Sequence, residues 1–413
     1  MCGFIKTQLR AYLADAKLIS RDLWLYILAL ALVWFNFEVF SLILNLYLQS
    51  QGYGTSEIGW VNSLFAWGLS IMVLPSAFIM SRVRFGLLVQ TSIVLFALFS
   101  VAMCTVSPFW AILGLALLSG TMLAAIRVTA GPFFMCNASS RERATVFSFS
   151  SAADVFAGVV AFAAAGKLAM LIDKWVGDIV VSYRYTMYIG SIVSLLALIP
   201  VVALKQARPL ADEHTRGASW QQLRTRWRLY GRILLLGSCV GLSAGIIIPF
   251  LNLFISERFG LHSDVIGWLF AVATLATFIG AMAGPIVVRS IGLTGTLIAI
   301  HIAAIPFIAI MAYSNNLGVV FTAVIIRCGI MGMSFPLISN FCLELCRPDE
   351  RGVVNAVTLF SINFSWMIAM AIGGYLIEGF GYTFTFNVMI VLYIATVLVL
   401  FTCFAKAERK VDH

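Results

Sequence analysis

Four ionisable side chains lie inside long apolar runs of this sequence, namely Glu38, Arg127, Asp154 and Arg327. If those runs cross a lipid bilayer, a charge at the bilayer centre costs about 2.5–3.5 kcal/mol even on the mildest insertion scale. Ionisable groups in such positions bind protons or solutes, or pair with one another. Each of the four is therefore a candidate functional residue.

Glu38 belongs to a polar stripe on an otherwise apolar segment. Trp34, Glu38, Ser41 and Asn45 follow one another at steps of four, three and four residues, which places them on one face of a helix. A carboxyl group on such a face can bind and release a proton, contact a cationic solute, or serve a structural role. We favour proton coupling by Glu38, with Trp34, Ser41 and Asn45 in contact with the solute.

Arg127 and Asp154 lie at similar depths in neighbouring apolar runs. The spacing predicts an intramembrane ion pair between them, because two paired charges are buried at a lower free-energy cost than two separate ones. Arg127 could also exchange Asp154 for an anionic solute during a transport cycle.

Arg327 has no carboxylate at a similar depth in the second half of the sequence. A guanidinium group binds carboxylate or phosphate through two parallel hydrogen bonds, so we expect Arg327 to bind an anionic group of the solute. The alternative is a structural role, in which Arg327 donates hydrogen bonds to carbonyls of a neighbouring helix. Asn252 and Ser361 are further polar residues that we expect at the solute.

Membrane helices must position these residues. The 413 residues are 61% hydrophobic and 11% charged, whereas soluble domains are about 45–50% apolar and about 25% charged. A crossing needs about 20 mostly apolar residues. The sequence predicts an all-α integral membrane protein with twelve transmembrane helices, near residues 23–48, 57–80, 86–106, 109–135, 145–171, 184–204, 233–256, 264–288, 293–313, 317–342, 353–377 and 382–404.

The basic residues predict the orientation of the chain. Most of the 27 Lys and Arg residues lie in the N-terminal segment, in alternate loops and in the C-terminal tail. The positive-inside rule then places both termini in the cytoplasm. The net charge of +9 is explained by topology, and we expect no nucleic-acid partner.

These patterns divide the chain into five parts. In order, they are a cytoplasmic amphipathic segment, a six-helix half, a cytoplasmic central loop, a second six-helix half and a cytoplasmic tail, at residues 1–22, 23–204, 205–232, 233–405 and 406–413.

The two halves are related by an internal repeat. The tripeptide at 44–46, Leu-Asn-Leu, recurs at 251–253, and Ile-Gly-Trp at 58–60 recurs at 266–268. Each half has an even number of spans, so both enter the membrane from the same side. Parallel repeats of this kind place a solute site near the bilayer midplane at the interface of the repeats.

Basic loop residues repeat in the same register. Arg82 recurs as Arg289 and Arg143 as Arg351, the last within the sequence Pro-Asp-Glu-Arg-Gly at 348–352. With the repeat, these loops resemble those of the major facilitator superfamily over essentially the whole chain. The resemblance implies two parallel six-helix pseudo-repeats, alternating access, a cavity lined by the first span, and a gating role for the four arginines.

We therefore expect a secondary active transporter of a small organic solute, acting as a proton-coupled symporter or antiporter, with an anionic solute. The partners would be the solute, protons and the lipid bilayer, and the protein would be a monomer in a bacterial inner membrane. No nucleophile–base set, phosphate loop or metal-ligand spacing occurs in the sequence, so we expect no enzyme activity, cofactor or metal.

Two alternatives remain open. The first is a proton-coupled multidrug exporter, which the acidic residue and aromatic residues of the first span favour. The fifth span, however, reads Ala-Gly-Val-Val-Ala at 157–161 and lacks the Gly-Pro signature typical of such exporters in the superfamily. The second is a non-transporting membrane receptor built on a transporter fold.

Overall fold

The computed structural model describes residues 19–72, 82–139, 142–204, 226–347 and 350–404. Within these ranges the secondary structure is helical, with no strand. Most of the predicted amphipathic N-terminal segment, most of the central loop and the whole C-terminal tail lie outside the described residues.

Seven helices are described in the first half of the sequence. They are α1 (Arg21–Ser50), α2 (Thr55–Ile71), α3 (Phe85–Met103), α4 (Phe109–Asn137), α5 (Arg143–Val176), α6 (Ile179–Leu196) and the short α7 (Leu198–Val202).

The helices described for the second half are α8 (Trp227–Gly245), α9 (Leu251–Phe259), α10 (Ser263–Ile291), α11 (Leu293–Tyr313), α12 (Leu317–Gly332), α13 (Ser334–Glu344) and α14 (Arg351–Phe404), with a 3-10 turn at Ile248–Phe250 before α9.

Ten helices in the described ranges are long and apolar enough to cross a membrane. The helix α2 is not among these ten. It has 17 residues and ends beside a range that the structure does not describe. The long α14 contains two helical parts that meet at Gly381, where φ is 80° and ψ is 170°. That backbone conformation is essentially restricted to glycine, and it ends the straight path of the helix. The all-helical, multi-pass architecture is confirmed, and the count of twelve stays a prediction.

Three predicted spans are interrupted where we expected continuous helices. α6, α8 and α12 end four residues before Pro200, Pro249 and Pro336 respectively. A proline nitrogen cannot donate the helical hydrogen bond to the carbonyl four residues earlier, and its ring clashes with that carbonyl. At these three prolines one helix ends and another begins close by, whereas α4, α10 and α11 continue through Pro132, Pro285 and Pro306.

Contacts divide the chain into two compact units. The first unit comprises residues 1–44 and 67–213, and the second comprises 45–66 and 214–413. This division differs from the two sequence halves by the segment Asn45–Ala66, which packs in the second unit. α1 consequently contributes its first part to the first unit and its last turns to the second.

The first unit has an aromatic core at one end of α1. The ring centroid of Tyr26 lies 4.4 Å from that of Phe133, which stacks on Phe85 at 4.8 Å. The Tyr26 hydroxyl lies 2.8 Å from the Thr129 hydroxyl, so its polar end is satisfied inside the core. These contacts join α1, α3 and α4 and hold α1 at a defined rotation.

Small residues allow α8 and α14 to pack closely in the second unit. A Cβ atom added to Gly237 would lie 1.9 Å from the Ser361 hydroxyl oxygen, and one added to Gly241 would lie 2.3 Å from the Ile362 carbonyl oxygen. Small residues spaced four apart are a common basis of helix association in membranes, because they let two backbones approach. Ser361 is therefore a packing residue in this conformation.

Candidate functional site

The first unit brings together the ion pair predicted from the sequence. Nη1 of Arg127 on α4 lies 3.1 Å from Oδ2 of Asp154 on α5, and the two side chains are 42% and 22% exposed. The other carboxylate oxygen of Asp154, Oδ1, is buried without a hydrogen-bond partner. The pair is thus partly accessible, while one acceptor of Asp154 is buried and unsatisfied.

Trp34 of α1 fixes the position of the guanidinium group. The Arg127 Cζ atom lies 4.1 Å from the centroid of the Trp34 ring, within the range of a cation–π interaction. Phe37 lies beside this ring, with a centroid distance of 4.6 Å. Arg127 therefore has an aromatic face on one side and a carboxylate on another, which orients its remaining N–H groups.

Glu38 is the third charged member of this group. It lies on the same face of α1 as Trp34 and interacts electrostatically with both Arg127 and Asp154. We call Trp34, Glu38, Arg127 and Asp154 the charged cluster. Ser41, the next residue of the polar stripe, is exposed. The cluster holds two carboxyl groups and one guanidinium group, an arrangement that can exchange a proton.

Arg327 lies in the interior of the second unit, with 5% of its surface exposed. Its Nη2 donates to the Tyr393 hydroxyl at 2.7 Å, and the ring of His301 lies 5.5 Å from the Tyr393 ring. No salt bridge of Arg327 occurs among the described residues. The sequence reasoning missed Tyr393, since nothing in its spacing links it to Arg327.

Asn45 and Asn252, which we predicted at the solute, contact each other instead of presenting free amides. Nδ2 of Asn45 lies 3.2 Å from Oδ1 of Asn252, and the residues are 3% and 1% exposed. Asn62, which the sequence reasoning also missed, donates to Oδ1 of Asn45 at 2.9 Å. Asn62 could have been recognised in the sequence as a polar residue within an apolar run.

The four predicted gating arginines have different surroundings. Arg82, Arg289 and Arg351 are exposed. Arg143 donates from Nη2 to the Met135 carbonyl at 3.1 Å, while its Nε atom is buried without a partner. Arg143 thus ties the start of α5 to the last turns of α4.

The carboxylates beside the loop arginines follow the internal repeat. Oε2 of Glu142 accepts a hydrogen bond from the backbone N–H of Ser139 at 3.3 Å, and Oε2 of Glu350 accepts one from that of Arg347 at 3.1 Å. Glu350 also forms an ion pair with Arg226. Equivalent residues of the two halves therefore make the same local contact.

The family model described as Major Facilitator Superfamily matches residues 26–361 and 233–413. No curated protein matches the chain.

Solved structures of this fold include three transporters. A bacterial homologue of the human lysosomal transporter Spinster, inward-facing and occupied, is 13% identical, with a TM-score of 0.77 over 92% of this chain and 95% of that one. The nucleoside transporter NupG is 15% identical, with a TM-score of 0.71 over 94% and 99%. A D-xylose–proton symporter is 13% identical, with a TM-score of 0.73 over 92% and 97%. At these identities the likeness shows a shared fold.

The family and these structures are transporters and not enzymes. The chain belongs to the major facilitator superfamily and is a multi-pass membrane transporter.

Proposed function

We propose that this protein is a proton-coupled secondary transporter that moves a small organic anion by alternating access. The observation that carries the proposal is the charged cluster of the first unit, in which Glu38 and Asp154 interact with Arg127. When all three groups are ionised, the cluster has one excess negative charge. A single proton neutralises it, so the cluster can carry one proton per cycle.

Arg127 is the group that would bind the solute. Its side chain is 42% exposed, and guanidinium suits carboxylate and phosphate groups. A solute anion that pairs with Arg127 separates it from Asp154. A carboxylate left without its counter-charge in a poorly hydrated site is unfavourable, so binding of a proton by Asp154 or Glu38 follows. Solute and proton then bind together, which corresponds to symport.

Trp34 and Ser41 share the helix face of Glu38, and we assign them to the solute with Arg127. Arg327 would reach a solute only after its hydrogen bond to Tyr393 is broken. We therefore assign the main contact with the anion to Arg127 and a supporting role to Arg327.

The proposed topology has twelve crossings, with both termini in the cytoplasm of a bacterial cell, and the protein as a monomer in the inner membrane. The ten candidate spans, the helix α2 and the break at Gly381 support this number. The D-xylose–proton symporter among the solved structures supports proton coupling on this fold.

A multidrug exporter is the second candidate function. The adjacent rings of Trp34 and Phe37, tilted by 36° to each other, lie next to Glu38, which is a suitable surface for a lipophilic cation. Such a cation would compete with the proton for Glu38. The prediction for this function is antiport, in contrast to the symport expected for an anion.

A ligand screen distinguishes the two functions. The purified protein is heated with organic anions, lipophilic cations, sugars and nucleosides, and a ligand that binds the folded state raises the melting temperature. Each ligand that does so is then tested for uptake into proteoliposomes with an imposed proton gradient. Anions that are taken up with protons support the proposal. Stabilisation by lipophilic cations alone would overturn it in favour of the exporter.

A further inference from the structure

Asn45 and Asn252 are equivalent residues of the internal repeat, and both belong to the second unit. Besides the contact with Asn252, Nδ2 of Asn45 donates to the Pro249 carbonyl at 2.7 Å. Oδ1 of Asn252 accepts from the backbone N–H of Leu253 at 3.0 Å, and Asn62 donates to Oδ1 of Asn45. The three amide side chains thus form one connected and mostly buried network.

The break between α8 and α9 explains why asparagines occupy these positions. The carbonyl of Pro249 precedes α9, and the N–H of Leu253 lies in its first turn, so neither group has a complete set of helical partners. Asn45 satisfies the carbonyl and Asn252 satisfies the N–H. A buried backbone group without a partner is destabilising. The interrupted helix is therefore completed by a side chain from α1.

Further contacts join the segment Asn45–Ala66 to the rest of the second unit. They comprise the Gln49 side chain with Glu257, the Thr55 hydroxyl with the Gly374 carbonyl at 3.2 Å, the Ser56 N–H with Glu378 at 2.8 Å, and the Trp60 indole N–H with the Tyr375 hydroxyl at 3.1 Å. A Cβ atom added to Gly374 would lie 2.4 Å from the Thr55 carbonyl oxygen. The segment is thus packed closely against α14.

We propose that Asn45, Asn62 and Asn252 form a latch that holds Asn45–Ala66 on the second unit and keeps this side of the membrane closed. With the N-terminus in the cytoplasm, as proposed above, this is the outer side. The asparagine latch opens when the transporter faces outward. Hydrogen bonds between neutral amides exchange for water with a small net change in free energy, so the latch can open without leaving a buried charge unpaired.

The latch also gives α1 a role in coupling. Glu38 and Asn45 lie seven residues apart on one face of α1, the first in the charged cluster and the second in the latch. Two helical turns separate them. A change at the charged cluster that moves α1 therefore acts on the latch through a continuous helix.

Hydrogen exchange measured by mass spectrometry tests the latch without a solute or a proton gradient, so its outcome is independent of the proposed function. Asn45→Ala, Asn252→Ala and the double variant are compared with the natural protein. We expect about tenfold faster exchange of backbone amides in residues 45–66 and 246–259, since a latch weakened by one or two hydrogen bonds opens more often. The double variant should increase exchange by less than the two single effects combined, because both substitutions remove the contact between Asn45 and Asn252.

Asn340→Ala is the matched control, since Asn340 donates to Glu344 at 2.9 Å on the exposed surface of α13. It should leave exchange in both latch segments unchanged. Unchanged exchange in the folded Asn45 and Asn252 variants would overturn the latch, as would an equal increase along the whole chain.

A second pair of variants tests the asparagine latch if the asparagine variants fail to fold. Trp60 and Glu378 are exposed at the rim of the same segment, so Trp60→Phe and Glu378→Gln should fold. Each weakens one contact between the segment and α14. We expect a smaller increase in exchange, confined to residues 45–66, and no increase in either variant would refute the proposal.

Discussion

The guanidinium group of Arg127 lies over the ring of Trp34, with its Cζ atom 4.1 Å from the ring centroid. The same guanidinium donates to Asp154. An arginine in a membrane helix is thus stabilised by a π-face and a carboxylate together, while its side chain stays 42% exposed. This combination suits a group that must exchange partners, because the π-face remains when the carboxylate is replaced.

Removing the carboxylate of Glu38 should separate proton coupling from solute binding. In Glu38→Gln, we expect solute accumulation driven by a proton gradient to fall at least about tenfold, which corresponds to a free-energy change of about 1.4 kcal/mol. Exchange of solute across proteoliposomes without a gradient should persist, because it needs no net movement of protons. Glu344→Gln, at an exposed carboxylate of α13, is the control. Undiminished accumulation in Glu38→Gln would remove Glu38 from the coupling mechanism.

Exchanging the charges of Arg127 and Asp154 in a double variant should restore the stability and uptake that either single substitution lowers. Arg127→Asp and Asp154→Arg each place two like charges together, so we expect a lower melting temperature and at least about a tenfold loss of uptake. The double variant should recover the melting temperature, because opposite charges again face each other. If it also recovers uptake, the pair acts as a unit. Recovery of stability alone would show that the guanidinium must lie on α4 to contact the solute.

Trp34 should contribute to solute affinity through the ring that orients Arg127. A cation–π contact at a partly exposed site contributes about 0.5–1 kcal/mol. Trp34→Leu should therefore weaken solute binding about two- to fivefold. Trp34→Phe keeps an aromatic face and should weaken it less. Equal affinities of the two variants, measured by isothermal calorimetry, would argue against a role of the ring.

Close packing of α8 on α14 should make Gly241 intolerant of any side chain. In Gly241→Ala the new Cβ would lie 2.3 Å from the Ile362 carbonyl oxygen, and overpacking of this kind costs about 1–3 kcal/mol. The melting temperature in detergent should fall. Gly231→Ala on the same helix is the control, because its Cβ would meet nothing within 4 Å. Similar melting temperatures of the two variants would contradict the packing described here.

Tyr393 should stabilise the buried guanidinium of Arg327. Tyr393→Phe removes the hydroxyl that accepts from Nη2 and leaves a charged donor without that partner. The expected cost is about 1–3 kcal/mol in the free energy of unfolding. Tyr185→Phe, at an exposed tyrosine of α6, serves as the comparison for stability. An unchanged melting temperature in Tyr393→Phe would indicate that Arg327 finds another acceptor.

Much of the fold could be predicted from the sequence. Hydropathy alone showed the helical, membrane-spanning architecture, since a long run of apolar residues can satisfy its backbone in a bilayer only as a helix. The internal repeat and the loop arginines indicated the superfamily, which the family model confirms. Residue type alone did not show which prolines interrupt a helix, since breaks precede Pro249 and Pro336 whereas Pro285 and Pro306 lie within continuous helices.

The rotation of each helix was beyond the sequence. Lipid tails are as apolar as a protein core, so the lipid-facing and protein-facing sides of a membrane helix have nearly the same composition. Depth along the helix could be counted, which placed Arg127 level with Asp154. No pattern indicated that Arg127 would lie on Trp34 or that Ser361 would pack on Gly237.

The sequence by itself determined which charged residues lie in the membrane and roughly how deep they lie, because the free-energy cost of burying a charge makes each one conspicuous. Apart from the ion pair of Arg127 with Asp154, which their matched depths predicted, only the tertiary structure decided the partners of the polar residues. Asn45 shares the polar stripe of Glu38, yet it packs in the second unit against Asn252, while Glu38 stays in the first unit. A hydrogen bond forms only within a narrow range of donor–acceptor distances, so a shift of a few tenths of an ångström between two helices can make or break it. The positions of the helices are set by side-chain packing between segments that are distant in the sequence.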